Sequence, residues 1–223
     1  MASLPILTYQ PSTDAFRFTP RLTIQRPSNQ TSDLAHLCHL DESVLRQRLA
    51  SHPNPTTTVA LIPDLSTLEW HHAREDFVAN ELHHPTPSTK GAIVHTTSGH
   101  RIWCIWSRMW YNADPQQSAG NTLHILRLAY DGPSPDPNDS AASAEHIDAV
   151  AALLHAAQLE AAEWHMEEVE LWNPDWSSVL AAQRVHPAAE VLHRDLESIT
   201  SLKWYGDADD QIEWVDNEKY GWC

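Results

Sequence analysis

Glycine is scarce in this chain of 223 residues: there are six, at positions 91, 99, 120, 132, 206 and 221, and none stands close to another. A backbone loop that cradles a cofactor phosphate needs clustered glycines, so no such loop is expected. Positive charge is scarce as well, with 14 lysines and arginines against 30 aspartates and glutamates and a net charge of −16. That balance excludes sequence-independent binding to nucleic acid or to an anionic membrane, and leaves a cationic small substrate or a basic partner. Cysteine occurs only at Cys38, Cys104 and Cys223, far apart and without a CxxC pair. Neither a disulfide scaffold nor a cysteine zinc site follows from such spacing. No apolar run approaches the roughly 18–20 residues of a membrane span, and Met1 to Gln10 lacks the regions of a secretory leader. A soluble, cytoplasmic protein is expected.

Histidine and tryptophan are plentiful, at 15 and 10 residues. His36 and His39, and His71-His72 with Glu75, raise the question of a metal, but no HExxH and no helical histidine pair with a third ligand is present. No metal site is expected. The tryptophans that one core does not need, such as Trp110, Trp176 or Trp222, suit either an interface or the boundary of the core.

The most informative stretch runs from Asn121 to Pro174. Asn121 to Tyr130 is apolar on both alternating faces, the pattern of an interior strand, and Glu168 to Trp172 is a second, shorter run. Between them Ile147, Val150, Leu154, Ala157, Ala161 and Trp164 recur at helical spacing. Strand, helix and strand make a βαβ unit with a parallel pair and a right-handed crossover. The loop after its first strand holds Pro133, Pro135 and Pro137, which lack N–H groups, and Asp131, Asp136 and Asp139, which repel an anion. A solvated loop feeding a helix capped by Asp139 or Ser140 is expected there.

Residues 1–31 read as an extended or flexible segment or linker, with Phe16, Phe18, Leu22 and Ile24 hinting at a short strand; residues 32–223 read as one domain. Ser32-Asp33 caps a helix through Leu34 to Leu49, with a break allowed near Asp41. A strand at 56–62 precedes a helix capped by Asp64 or Ser66, whose Trp70, Ala73 and Phe77 share a face read as core. Residues 90–97 and 100–111 form a hairpin about Ser98-Gly99, the second strand central. After Pro174 come a helix capped by Asp175 and strands at 189–193, 198–205 and 211–215. The fold class is α/β (α+β), a mixed central sheet of about six to seven strands with helices on both faces.

The order of these elements resembles the GNAT acetyltransferase fold. Asn121 to Leu128, Gln158 to Trp164, Val169 to Pro174, Leu202-Lys-Trp-Tyr-Gly206 and Asn217 to Cys223 resemble the C-terminal half of the fungal lysine N-acetyltransferase family. Val59 to Asp64, Glu69 to Val78 and Lys90 to Val94 resemble the same region. The resemblance implies a second, GNAT-like domain, with the acetyl-CoA loop carried by a preceding one. None of the six glycines satisfies that loop's pattern, so no acetyl-CoA-binding residue and no catalytic residue is assigned. A non-catalytic module is therefore expected, shaping a substrate site or an interface. Its implied partners are a GNAT catalytic domain or a second copy, and a small amine such as lysine. The alternative is an active N-acetyltransferase that takes acetyl-CoA in an atypical site. Glu69, Glu75 or His124 would serve it as base, and Tyr111, Tyr205 or Tyr220 as acid. The aromatic end, Tyr220 to Cys223, is expected to dock into a groove or a partner.

Overall fold

A strand that is apolar on both faces needs cover on both, and two such strands set the architecture of the chain. The structure, a computed structural model, describes residues 5–9, 24–25, 31–51, 57–82, 85–112, 114, 117–133, 136, 138–193, 200–207 and 211–222. In chain order the elements begin with β1 (Pro5–Tyr9), β2 (Ile24–Gln25), α1 (Thr31–Ser51), β3 (Thr57–Val59), α2 (Leu65–Glu81), β4 (Gly91–His95) and β5 (Arg101–Met109). They continue with β6 (Thr122–Tyr130), α3 (Ser140–Glu163), β7 (Glu168–Trp172), α4 (Trp176–Val185), β8 (Glu190–His193), β9 (Ile212–Trp214) and a 3-10 turn at Lys219–Gly221. Among the described residues seven strands form one mixed sheet in the order β2-β4-β5-β6-β7-β1-β8, and β3 pairs with β9 in a separate two-stranded ladder.

The βαβ unit is present as read: β6 and β7 are parallel, joined through α3. The hairpin is present too, with Gly99 at φ +87° in its turn, a conformation that favours glycine. β5 alternates between two cores. Ile102, Cys104 and Trp106 join α3, α4 and β7 on one face, while Trp103 and Ile105 join Leu37 and Cys38 of α1, Leu68 of α2 and Tyr220 on the other. Between β5 and β6 the register slips, Ile105 facing Arg127 and Trp106 facing Ile125, so that Leu126 is left over as a bulge.

Several expectations are corrected. α2 is capped by Asp64, whose side chain accepts from the Thr67 N–H, but it does not bury Trp70, Ala73 and Phe77. Its buried residues are Leu68, His71, His72, Glu75 and Ala79, because its polar side chains are bound to the sheet and its aromatic ones are not. α1 runs unbroken through Asp41, which is buried and paired with Arg127. The strand at 198–205 does not form in its described part: residues 200–205 are irregular, and 201–205 are exposed. β propensity without a covering layer leaves such a stretch in water. β9 forms, but beside β3 and outside the main sheet.

In the segment read as extended or linker, Pro5–Tyr9 lies between β7 and β8 and Ile24–Gln25 pairs with β4, so these two stretches belong to the sheet. Phe16, Phe18, Leu22, Pro135, Pro137, Ser198 and Cys223 lie outside the described residues. Trp110 is half-buried and edge-on to Trp164, and Trp222 is half-buried against Trp214. Trp176, 36% exposed, opens α4.

Candidate cleft at the carboxyl ends of the parallel strands

Two parallel strands that part leave backbone N–H groups without a ladder partner, and something must accept them. β6 and β7 pair only from Thr122↔Glu168 to Ile125↔Leu171; β6 then continues past the bulge to Tyr130. In the parting the Leu128 N–H donates to Glu218 Oε2 at 2.9 Å. Glu218 arrives there on the segment that follows β9, held by Tyr220. The Tyr220 hydroxyl reaches the Leu61 carbonyl at 2.6 Å and the Asp216 carbonyl at 3.1 Å, and its ring is buried. Gly221 permits this close approach, since a Cβ there would lie 2.2 Å from Leu61 Cδ1. Of the aromatic end expected to dock, Tyr220 is buried within the chain and Trp222 is half-buried against Trp214.

One guanidinium gathers three carboxylates in this place. Arg127 Nε and Nη2 donate to the two oxygens of Asp41, both at 2.8 Å, and Nη1 donates to Glu218 and lies 3.4 Å from Asp216. Arg127 and Asp41 are fully buried and Glu218 nearly so. Burial pushes the Glu218 carboxyl up to about 7, aided by Asp216 and Asp41 and opposed by Arg127. The carboxylates hold the Arg127 guanidinium charged against its own desolvation. Arg48, 4.0 Å from Asp216 with its guanidinium over the Tyr130 ring, and Lys219, whose ammonium lies 4.6 Å from the centre of the Trp172 ring, are further cations nearby.

Beside this cluster lies a cavity of about 170 Å³ between Tyr130 and Leu128 of β6, Trp172 of β7, His146 of α3 and the start of α4. It sits outside the carboxyl ends of the parallel pair, where open α/β sheets bind ligands. The turn that closes it puts Asn173 at φ 52°, and Asp175 caps α4 by accepting the Ser178 N–H at 2.7 Å. Drug-sized ligands occupy cavities of roughly 300–1,000 Å³, so this volume suits a small group. Asp175, Asp216 and Glu218 line it against Arg48, an arrangement that favours a cation. His146, edge-on to Tyr130, is held below its ordinary pKa by burial and stays neutral.

The loop from β6 to α3 is bonded within the chain in its described part. Asp131 accepts from the Arg101 N–H and Nε, both at 2.7 Å, and the Asp136 carbonyl accepts from the Asp139 N–H and the Ser143 hydroxyl. Gly132 is small for the sake of His100, whose Cγ would lie 2.9 Å from an added Cβ.

The six residues named as bases and acids do not converge on the cleft, and none of them lines it. Glu69 is exposed on α2. Glu75 is buried and occupied: its Oε1 accepts the Arg108 N–H and Nη1 at 2.7 Å, and its other oxygen accepts Lys90. His124 is buried on β6, its Nδ1 3.1 Å from Glu170 Oε2 but off the hydrogen-bonding direction, and burial keeps the ring neutral. Tyr111 and Tyr205 are 65% and 83% exposed. Burial raises the Tyr220 phenol further, and its hydroxyl is spent on two carbonyls.

His71 and His72 do not join Glu75 about a metal. Their Nε2 atoms bond the carbonyls of Tyr220 and Trp106 at 2.9 and 3.1 Å, and burial holds His72 down to about 4. His36 lies 3.3 Å from Arg101 Nη1, and no group of three metal-ligating side chains occurs among the described residues. The residues that do build the cleft, Arg127, Asp216 and Glu218, had one signal in the sequence. An arginine inside an apolar interior strand must be paired, and Arg127 in β6 is such a residue.

A parallel pair with a helical crossover, flanked by antiparallel strands, agrees with the GNAT-like order of elements expected from the sequence. No curated protein and no solved structure matches the chain. The family model described as the LYC1 GNAT-like C-terminal domain matches residues 28–223. With nearly the whole chain matched and the parallel pair in place, the chain belongs to the LYC1 GNAT-like C-terminal domain family.

Proposed function

We propose that this chain is a non-catalytic GNAT-like module that does not itself bind acetyl-CoA. It shapes a site for a small amine such as lysine, or an interface with a catalytic acetyltransferase domain. The observation that carries this reading is the acidic closure of the cleft between β6 and β7. Glu218 takes the Leu128 N–H, and Asp216 and Asp175 stand at the same opening. Asp131, Asp136 and Asp139 occupy the loop above α3. A cofactor with several phosphate charges meets carboxylates there, whereas an ammonium group is attracted.

Isothermal titration of the purified protein with acetyl-CoA, followed by lysine, tests the proposal at low ionic strength, where weak charge effects are least screened. No heat from acetyl-CoA at millimolar concentration is expected. Saturable micromolar binding overturns the non-catalytic reading. The second reading, an active N-acetyltransferase with an atypical cofactor site, draws on the place of the cavity at the carboxyl ends of the parallel strands. It requires thiol release from acetyl-CoA in the presence of lysine, and the same sample measures that.

A further inference from the structure

α2 is built inside out. The face it turns to the sheet carries His71, His72 and Glu75, each bound to another part of the chain through Tyr220, Trp106, Arg108 or Lys90. The opposite face carries Trp70, Ala73 and Phe77 at the spacing of an apolar helical stripe. Trp70 is 47% and Phe77 65% exposed, and Ala73 between them is exposed too. The helix cannot roll to hide the stripe, because rolling would strip Arg108 and Lys90 of Glu75 in a buried place. A large apolar helix face that the fold itself holds in water marks an interaction surface.

The charges around it choose among occupants. Among the described residues Glu69 and Glu81 are exposed at the rim with Arg74 beside them, while the half-exposed Asp76 is taken by Lys90 at 2.5 Å. A second copy of a chain with net charge −16 would bring the same acidic rim to the contact. We propose that the Trp70–Phe77 face of α2 docks a protein partner presenting an apolar surface bordered by lysine and arginine. The proposal stands apart from the acetyl-CoA reading and survives its failure.

The probe is a labelled amphipathic helical peptide of leucine and lysine, titrated into the full chain and followed by fluorescence anisotropy. The control peptide has glutamate in place of lysine. Saturable binding of the leucine-lysine peptide is expected, weakened at least about tenfold in the Trp70→Ser/Phe77→Ser double variant, a loss of the size that two interface aromatics carry. Binding should weaken with salt and be unchanged in Trp204→Ser/Tyr205→Ser, which alters exposed aromatics elsewhere. Equal binding by the glutamate peptide, or binding indifferent to Trp70→Ser/Phe77→Ser, overturns the proposal. So does sedimentation of the chain alone as a dimer that the same double variant dissociates, since the occupant is then a second copy.

Discussion

Two buried arginines, Arg108 on β5 and Arg127 on β6, solve one problem in two ways. Each lies where its strand outruns a neighbour and an N–H loses its ladder partner; a glutamate supplies the acceptor, Glu75 to the Arg108 N–H and Glu218 to the Leu128 N–H. The guanidinium beside it then binds that carboxylate and one from another element, Glu160 for Arg108 and Asp41 for Arg127. The difference lies in what surrounds them. Arg108 is shut between α2 and α3 with its face over Trp164, and Lys90 supplies a second cation to Glu75. Arg127 faces three carboxylates beside a cavity, and Arg48 contributes only from 4.0 Å. The same edge-capping chemistry is a closed structural joint where a hairpin partner ends, and a charge-biased cleft where two parallel strands part.

The largest effect should come from removing a guanidinium. Arg127→Met takes the guanidinium from buried Asp41 and Glu218, and Arg108→Met takes it from buried Glu160 and leaves Glu75 to Lys90. Each should lower unfolding free energy in urea by about 3–5 kcal/mol. If Arg127→Met costs no more than a surface change, its charge cluster is not the buried joint described here.

Replacing the glutamates should separate the two sites. Glu75→Gln removes the charge that faces both Arg108 and Lys90, and should cost on the order of 3 kcal/mol. Glu218→Gln keeps an acceptor for Leu128 and replaces a carboxyl that burial pushes up to about 7. Below about pH 7 it should cost roughly 1 kcal/mol or less. Equal losses from the two substitutions would erase the distinction between a closed joint and a biased cleft.

The pH dependence sharpens the contrast. A carboxyl at about 7 in the fold, against an ordinary 4.5, binds its proton more tightly folded than unfolded. Its contribution is full at low pH and is lost as pH rises from about 4.5 through 7. His72 acts in the opposite sense. Held at about 4 against an ordinary 6.5, its contribution is full above 6.5 and is lost as pH falls toward 4. Urea midpoints measured on either side of neutrality should therefore fall with rising pH in the parent and flatten in Glu218→Gln, a difference on the order of 2 kcal/mol. The smallest effect belongs to Tyr220→Phe, which removes the hydroxyl from the Leu61 carbonyl and should cost about 1 kcal/mol by thermal unfolding.

Much of the fold was legible because its central strands are apolar on both faces and two of its helices, α2 and α4, begin at aspartates, although α1 begins at Thr31, ahead of the Ser32-Asp33 cap that was expected. The 100–111, 121–130 and 168–172 runs all became sheet, and Asp64 and Asp175 cap as read. The face of α2 was not legible, because hydrophobic periodicity assumes that a helix buries its apolar stripe. Here the ion pairs of Glu75 decide the orientation instead. The stretch around 198–205 has strand-like residues but no covering layer in its described part, and nothing local reports that. The cleft was not legible either, since Arg127 and Glu218 meet across a sequence separation of 91 residues. Only the oddity of an arginine in an interior strand hinted that a partner must exist.

The pairing of distant segments also sets a pace for folding. The Tyr220 hydroxyl meets the Leu61 carbonyl across 159 residues, β3 finds β9, and β1 inserts between β7 and β8 from the far end of the sequence. Each closure must bear the loss of freedom of the long chain between its ends before any contact rewards it. Such a topology belongs with slow folders, on the millisecond-to-second scale, rather than with helical bundles. Until those ends meet, the parted edge of β6 is open, and the folding chain depends on Glu218 arriving before another strand does.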